Sequence, residues 1–214
     1  MNFLADQHTL VSVNKFCEGR DERFVQTFKT VLPTWYNWHV VNPRGDGNCL
    51  LYCIGTLLVE NPDGDICDIL LLLFLKGIKI LLQEEGMIIF DAEFEPLFFE
   101  SSDDDEMLVL KYLSLTQGQT ISCAILRVFA RATNTNFVLI TYDHMSVDPL
   151  LVNVFHVPCS VTNVEGTMIE DMPKYRYILS VSGHNFALVP QNTTIGSNAF
   201  LDFERVSTMR NARW

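Results

Sequence analysis

The sequence predicts a mixed α/β domain, a small β-sheet flanked by helices, and three observations predict it. A strongly apolar stretch with helical spacing begins at Cys49. An amphipathic helical pattern ending near Thr133 runs into the strand-like Phe137 to Thr141. Further strand-like runs, "LLVNVFHVP", "YRYILSVSG" and "HNFALVP", follow toward the C-terminal end. At 214 residues, 48% hydrophobic and 19% charged, the chain is expected to fold as one domain over 1–214. A chain of that size buries roughly 70% of its unfolded surface.

In chain order, a mixed N-terminal region leads to "TVLPTWYNWHVVNPRGDGNC", whose aromatics and Val40-Val41 predict an extended approach into a sharp Pro-Arg-Gly-Asp-Gly bend. The bend ends at Cys49. "CLLYCIGTLLVE" then predicts a helix beginning near Asn48, stopped by Asn61-Pro62-Asp63-Gly64. "ILLLLFLKGIKILLQEEG" is too short and too charged for a membrane span, because Lys76 and Lys79 interrupt it; it predicts a buried helix, with Gly77 as a break. Ser101 to Glu106 is expected as a solvated acidic loop or helix start. In "TISCAILRVFARAT", Ile121, Ala124-Ile125 and Val128-Phe129 share one helical face, and Asn134-Thr135-Asn136 connects it to the next strand. "HNFALVP" continues or pairs with "YRYILSVSG" across Gly183.

Charge narrows the function. With 26 acidic residues against 15 Lys and Arg, the formal net charge is -11, and no basic patch is present to hold nucleic acid or an anionic membrane. The N-terminal "MNFLADQHTLVSVNKF" lacks the pattern of a secretory leader, so a cytoplasmic protein is expected, with Cys17, Cys49, Cys53, Cys67, Cys123 and Cys159 as reduced thiols. Cys49 with Cys53, and His156 with Cys159, have spacings a metal could use, yet nothing completes a four-ligand set; neither metal nor other cofactor is expected.

The chemistry concentrates in "RGDGNC". A cysteine in the first turn of a helix sits where backbone N–H groups and the helix dipole favour negative charge, which suits a nucleophile. Gly45 and Gly47 allow unusual dihedrals and close approach, so that turn amides can converge on an oxyanion. A base must come from elsewhere in the chain. Of five histidines, His8, His39, His144 and His156 are expected to be surface or structural residues, whereas His184, after Ser182-Gly183 at a strand end, is placed to be held at a cleft edge.

"GDGNC" before an apolar helix, a central amphipathic helix leading into a strand, and a late Gly-His together resemble the ovarian tumour (OTU) family of cysteine proteases, over roughly Val40 to Pro190. The resemblance implies a papain-like α/β fold and cleavage of ubiquitin, or a ubiquitin-like modifier, from lysine, by a monomer acting on ubiquitin or polyubiquitin. It makes Cys49 the nucleophile, His184 the general base and Asp46 the acid of the N-terminal motif, with Gly45, Gly47, Asn48 and Gly183 bordering the substrate. Here the order is His184-Asn185-Phe186, where the family commonly has an aromatic and then Asn or Asp. The third catalytic member is therefore open: Asn185 if the backbone bulges after Gly183, Asp46 from the opposite side, or none. Two other readings stand beside this one, a ubiquitin-binding module without turnover and a papain-like hydrolase acting on another acyl group.

Overall fold

The computed structural model describes residues 9–31, 37–43, 45, 47–58, 66–91, 96–116, 121–142, 150–155, 161–163 and 175–191. In chain order these form β1 (Thr9–Ser12), α1 (Val13–Cys17), α2 (Glu22–Val31), β2 (Trp38–Asn42), α3 (Cys49–Leu58), α4 (Ile66–Glu85), β3 (Met87–Phe90), β4 (Leu97–Glu100), α5 (Asp105–Leu115), α6 (Ile125–Thr133), β5 (Asn136–Tyr142), β6 (Leu150–Phe155), β7 (Val161–Asn163), β8 (Tyr175–Val181) and β9 (His184–Pro190). Seven of the described strands make one sheet in the order β1-β2-β9-β8-β5-β6-β7, and β3 pairs with β4 separately. Only β5 and β8 run parallel within the described ladders. The expected mixed α/β sheet flanked by helices is what is found.

Both faces of the sheet are covered, which explains why its central strands read as continuous apolar runs instead of alternating ones. Val41, Phe137, Leu139, Ile178, Ala187 and Val189 pack into a core with α3, α4, α5 and α6. Their neighbours along the strands, among them Val40, Val138, Tyr177, Leu179, Phe186 and Leu188, face α1 and α2 through Val13, Phe16, Phe24 and Phe28. Asp21 starts α2 by accepting from the N–H groups of Arg23 and Phe24 at 2.8 and 3.2 Å.

The helix over 66–85 is uninterrupted, contrary to the expected break at Gly77. Gly77 serves close packing: a Cβ there would lie 2.0 Å from the carbonyl oxygen of Val128 on α6. The glycine gap lets the two helices approach, and Arg127–Glu85 and Arg131–Glu84 ion pairs join them near the end of α4. The acidic segment starts α5, with Asp104 accepting from the Met107 N–H at 2.8 Å. Ile121 is buried but precedes α6, whose first residue is Ile125; Asn134 ends that helix in the left-handed region at φ 54°. His156 and the Asn61-Pro62-Asp63-Gly64 stop lie outside the described residues. No helix among the described residues is long and apolar enough to cross a membrane.

Candidate active site

The site is built by three chain segments meeting at one end of β2 and β9. Ser182 and Gly183 both have positive φ, 51° and 79°, and form the two-residue turn joining β8 to β9. That is the turn whose twist matches paired strands, and it accounts for the glycine. The ladder continues directly from it: Val181 opposes His184, Ser180 opposes Asn185 and Leu179 opposes Phe186. There is no bulge after Gly183, so the alternative in which a bulge carries Asn185 onto the face of the next residue does not hold; a tight turn with matched strands leaves no extra residue to accommodate.

The register assigns the side chains. Asn185 shares a face with Ala187 and Val189, toward α3, and its Nδ2 donates to Cys49 Sγ at 3.4 Å. His184 shares the other face with Phe186, their rings meeting edge-on at 4.7 Å. As the first residue of its strand, His184 lies at the end of the sheet, near Gly45. A Cβ at Gly45 would sit 4.0 Å from both Nδ1 and Cε1 of His184, so that edge of the ring is turned toward Gly45. The other ring nitrogen is held: Nε2 lies 2.9 Å from Oδ1 of Asn42, the last residue of β2. With the amide oxygen accepting, this contact is a hydrogen bond in the tautomer that carries its proton on Nε2.

Cys49 is the first residue of α3 and is 6% exposed. The Tyr52 N–H bonds the Asn48 carbonyl at 3.1 Å, so the N–H groups of Cys49, Leu50 and Leu51 stand ahead of the intrahelical ladder, at the positive end of the dipole. Gly47 has φ 91°, a conformation in which a side chain would be strained, and it lets the chain turn into the helix. The Asn48 side chain fastens this entry by donating to the Thr116 carbonyl at 3.2 Å, at the end of α5. One turn on, Cys53 is fully buried; burial, and then the nearby Cys49, push its thiol well above the usual range, so it remains protonated. Asp46 lies outside the described residues.

No family model matches the chain, and no curated protein matches it by sequence. Among solved structures it is similar to the viral OTU domain protease from Taggert virus, with TM-score 0.44 and 13% identity over 74% of this chain and 91% of that one. It is also similar to an OTU deubiquitinase from Wolbachia pipientis wMel bound to ubiquitin, with TM-score 0.48 and 12% identity over 74% of this chain and 99% of that one. A structure of an OTU deubiquitinase from Wolbachia pipientis wMel gives TM-score 0.44 and 10% identity over 78% of this chain and 96% of that one. At TM-scores below 0.5 these likenesses bear on neither the family nor the chemistry of this chain.

The residue that sequence reasoning missed is Asn42. It closes the run "WHVVN" and reads as a strand end; its only visible signal is that, at period two, it shares a face with Trp38 and Val40. Nothing local connects it to a histidine 142 residues away.

Proposed function

We propose that the chain is a cysteine isopeptidase of the OTU type, which hydrolyses the bond between the C-terminal glycine of ubiquitin, or a ubiquitin-like modifier, and a substrate lysine. The observations that support the proposal are a cysteine at the first position of α3, within hydrogen-bond distance of Asn185 on β9, and, as the residue preceding Asn185, a histidine whose Nε2 lies 2.9 Å from an amide oxygen. Cys49 is the nucleophile and His184 the base. Asn42 orients the imidazole, and Asp46 is kept as the acid of the loop. The Sγ electron pair adds to the glycine carbonyl; the amine leaves with the proton held by His184; water then adds through His184 and releases the acyl group from sulphur. The net charge of -11 complements the arginines near the end of the ubiquitin tail.

A second reading, binding without turnover, is favoured by one observation: the β9 face toward Cys49 carries Asn185, not His184. Ubiquitin with a C-terminal electrophile separates the two. The hydrolase forms a covalent adduct that Cys49→Ala abolishes and His184→Ala slows. Association without an adduct supports the second reading, and no association with ubiquitin or a ubiquitin-like modifier overturns both.

A further inference from the structure

We infer that Asn185 is a catalytic residue of this site, its side-chain amide donating a hydrogen bond to the oxyanion formed at Cys49; the inference rests on the cysteine-hydrolase reading above.

Four observations lead to it. The ladder behind the Ser182-Gly183 turn leaves no freedom in where Asn185 points, since Ser180 opposes it and Ala187 and Val189 on the same face are buried against the α3 side. Asn185 is 9% exposed, and its amide nitrogen is 3.4 Å from the sulphur. Burying an amide costs free energy that a bond to a neutral thiol repays poorly, because sulphur is a weak acceptor. An apolar side chain would pack there at lower cost. The amide becomes favourable once it faces an anion, where such bonds are roughly twice as strong.

The ring of His184 does not need Asn185, because Asn42 already holds Nε2. Asn185 is thus released from the orienting role and stands beside the nucleophile, on the face of β9 opposite to that of His184. The Cys49 N–H, ahead of the helical ladder, supplies a second donor at the same atom. When Sγ bonds to the carbonyl carbon, the C=O π pair moves onto oxygen, which lies one bond from that carbon and within reach of both donors. When the pair returns, the C–N bond breaks and the amine takes its proton from His184. Neither donor gains or loses a proton.

The test compares wild type, Asn185→Ala, Asn185→Ser and Asn42→Ala on a fluorogenic amide of ubiquitin and on two ubiquitin probes. One probe carries a C-terminal aldehyde, which forms a tetrahedral adduct bearing the oxyanion. The other carries a C-terminal alkyl chloride, which alkylates sulphur without one. Near-UV circular dichroism confirms folding of each variant, and Asn185→Ser keeps a polar group if Asn185→Ala is unfolded. Loss of Asn185 is expected to lower kcat by about 10²–10³-fold with little change in KM. It should weaken aldehyde capture and leave the alkylation rate within threefold, whereas Asn42→Ala slows hydrolysis and alkylation together. Active wild type with undiminished kcat in both Asn185 variants overturns the assignment, as does a parallel loss of alkylation. Wild type inert to the amide and both probes overturns the hydrolase reading itself, and the assignment with it.

Discussion

Replacing Gly77 with alanine tests how α4 and α6 are packed. The new methyl would stand 2.0 Å from the Val128 carbonyl oxygen, 2.8 Å from its carbon and 2.9 Å from Cγ1, and real Cβ atoms do not approach within 3.0 Å. The helices must therefore separate locally by about 1 Å, and the obstacle is a backbone carbonyl inside α6 that cannot rotate away. Overpacking of this kind costs about 1–3 kcal/mol, here toward the upper end. Removing a glycine from a helix interior returns about 1 kcal/mol. A net loss of about 1–2 kcal/mol remains, which for a chain of this length lowers Tm by about 2–8 °C. Thermal unfolding followed by far-UV circular dichroism measures it, with Leu72→Ala on the exposed side of the same helix as the unaffected control. An unchanged or raised Tm for Gly77→Ala would refute the close-packing account and restore the view of Gly77 as a point of helix weakness.

Three other outcomes are expected. Gly47→Ala, at φ 91°, should destabilise by about 1 kcal/mol, while Gly45→Ala, whose methyl meets His184 at an ordinary 4.0 Å, should melt like wild type. Asn42→Ala should lower kcat about tenfold, the worth of one hydrogen bond, and shift the pH dependence of kcat; Asn42→Asp, which keeps an acceptor for Nε2, should recover much of the rate. Burial works against the charge of Asp103, but the hydrogen bond from Lys111 at 2.6 Å, the Glu100 N–H and the lysine's charge outweigh it and hold the carboxyl below its usual range. A depressed carboxyl stabilises the fold above its unfolded pKa of about 3.9, and the contribution disappears as pH falls through the lower folded value. Urea midpoints should therefore show wild type above Asp103→Asn at pH 7, with the gap closing below about pH 4.

Much of the architecture is written in local chemistry. The apolar helix after the glycine bend, the run into β5 past Asn134, and the pairing of β8 with β9 across Ser182-Gly183 each depend on periodicity or positive φ within a few residues, and each is legible in the chain. The acidic start of α5 is legible for the same reason, as a capping residue and a dipole preference. The β3–β4 pair, and the cover that α1 and α2 place over the sheet, escaped because their short amphipathic patterns gain meaning only from the surface they bury. Gly77 read as weakness because a single sequence does not reveal a neighbouring helix.

The amino-acid order by itself determined that a cysteine begins a buried helix behind a glycine-rich bend, and that a Gly-His begins a late strand, since caps, turns and periods are local properties. Tertiary structure alone decided which side chains meet. Both sides of β9 are buried, so its apolar run carries no alternation from which to read a face, and only the packing of α3 sends Asn185 to the sulphur and leaves His184 to Asn42.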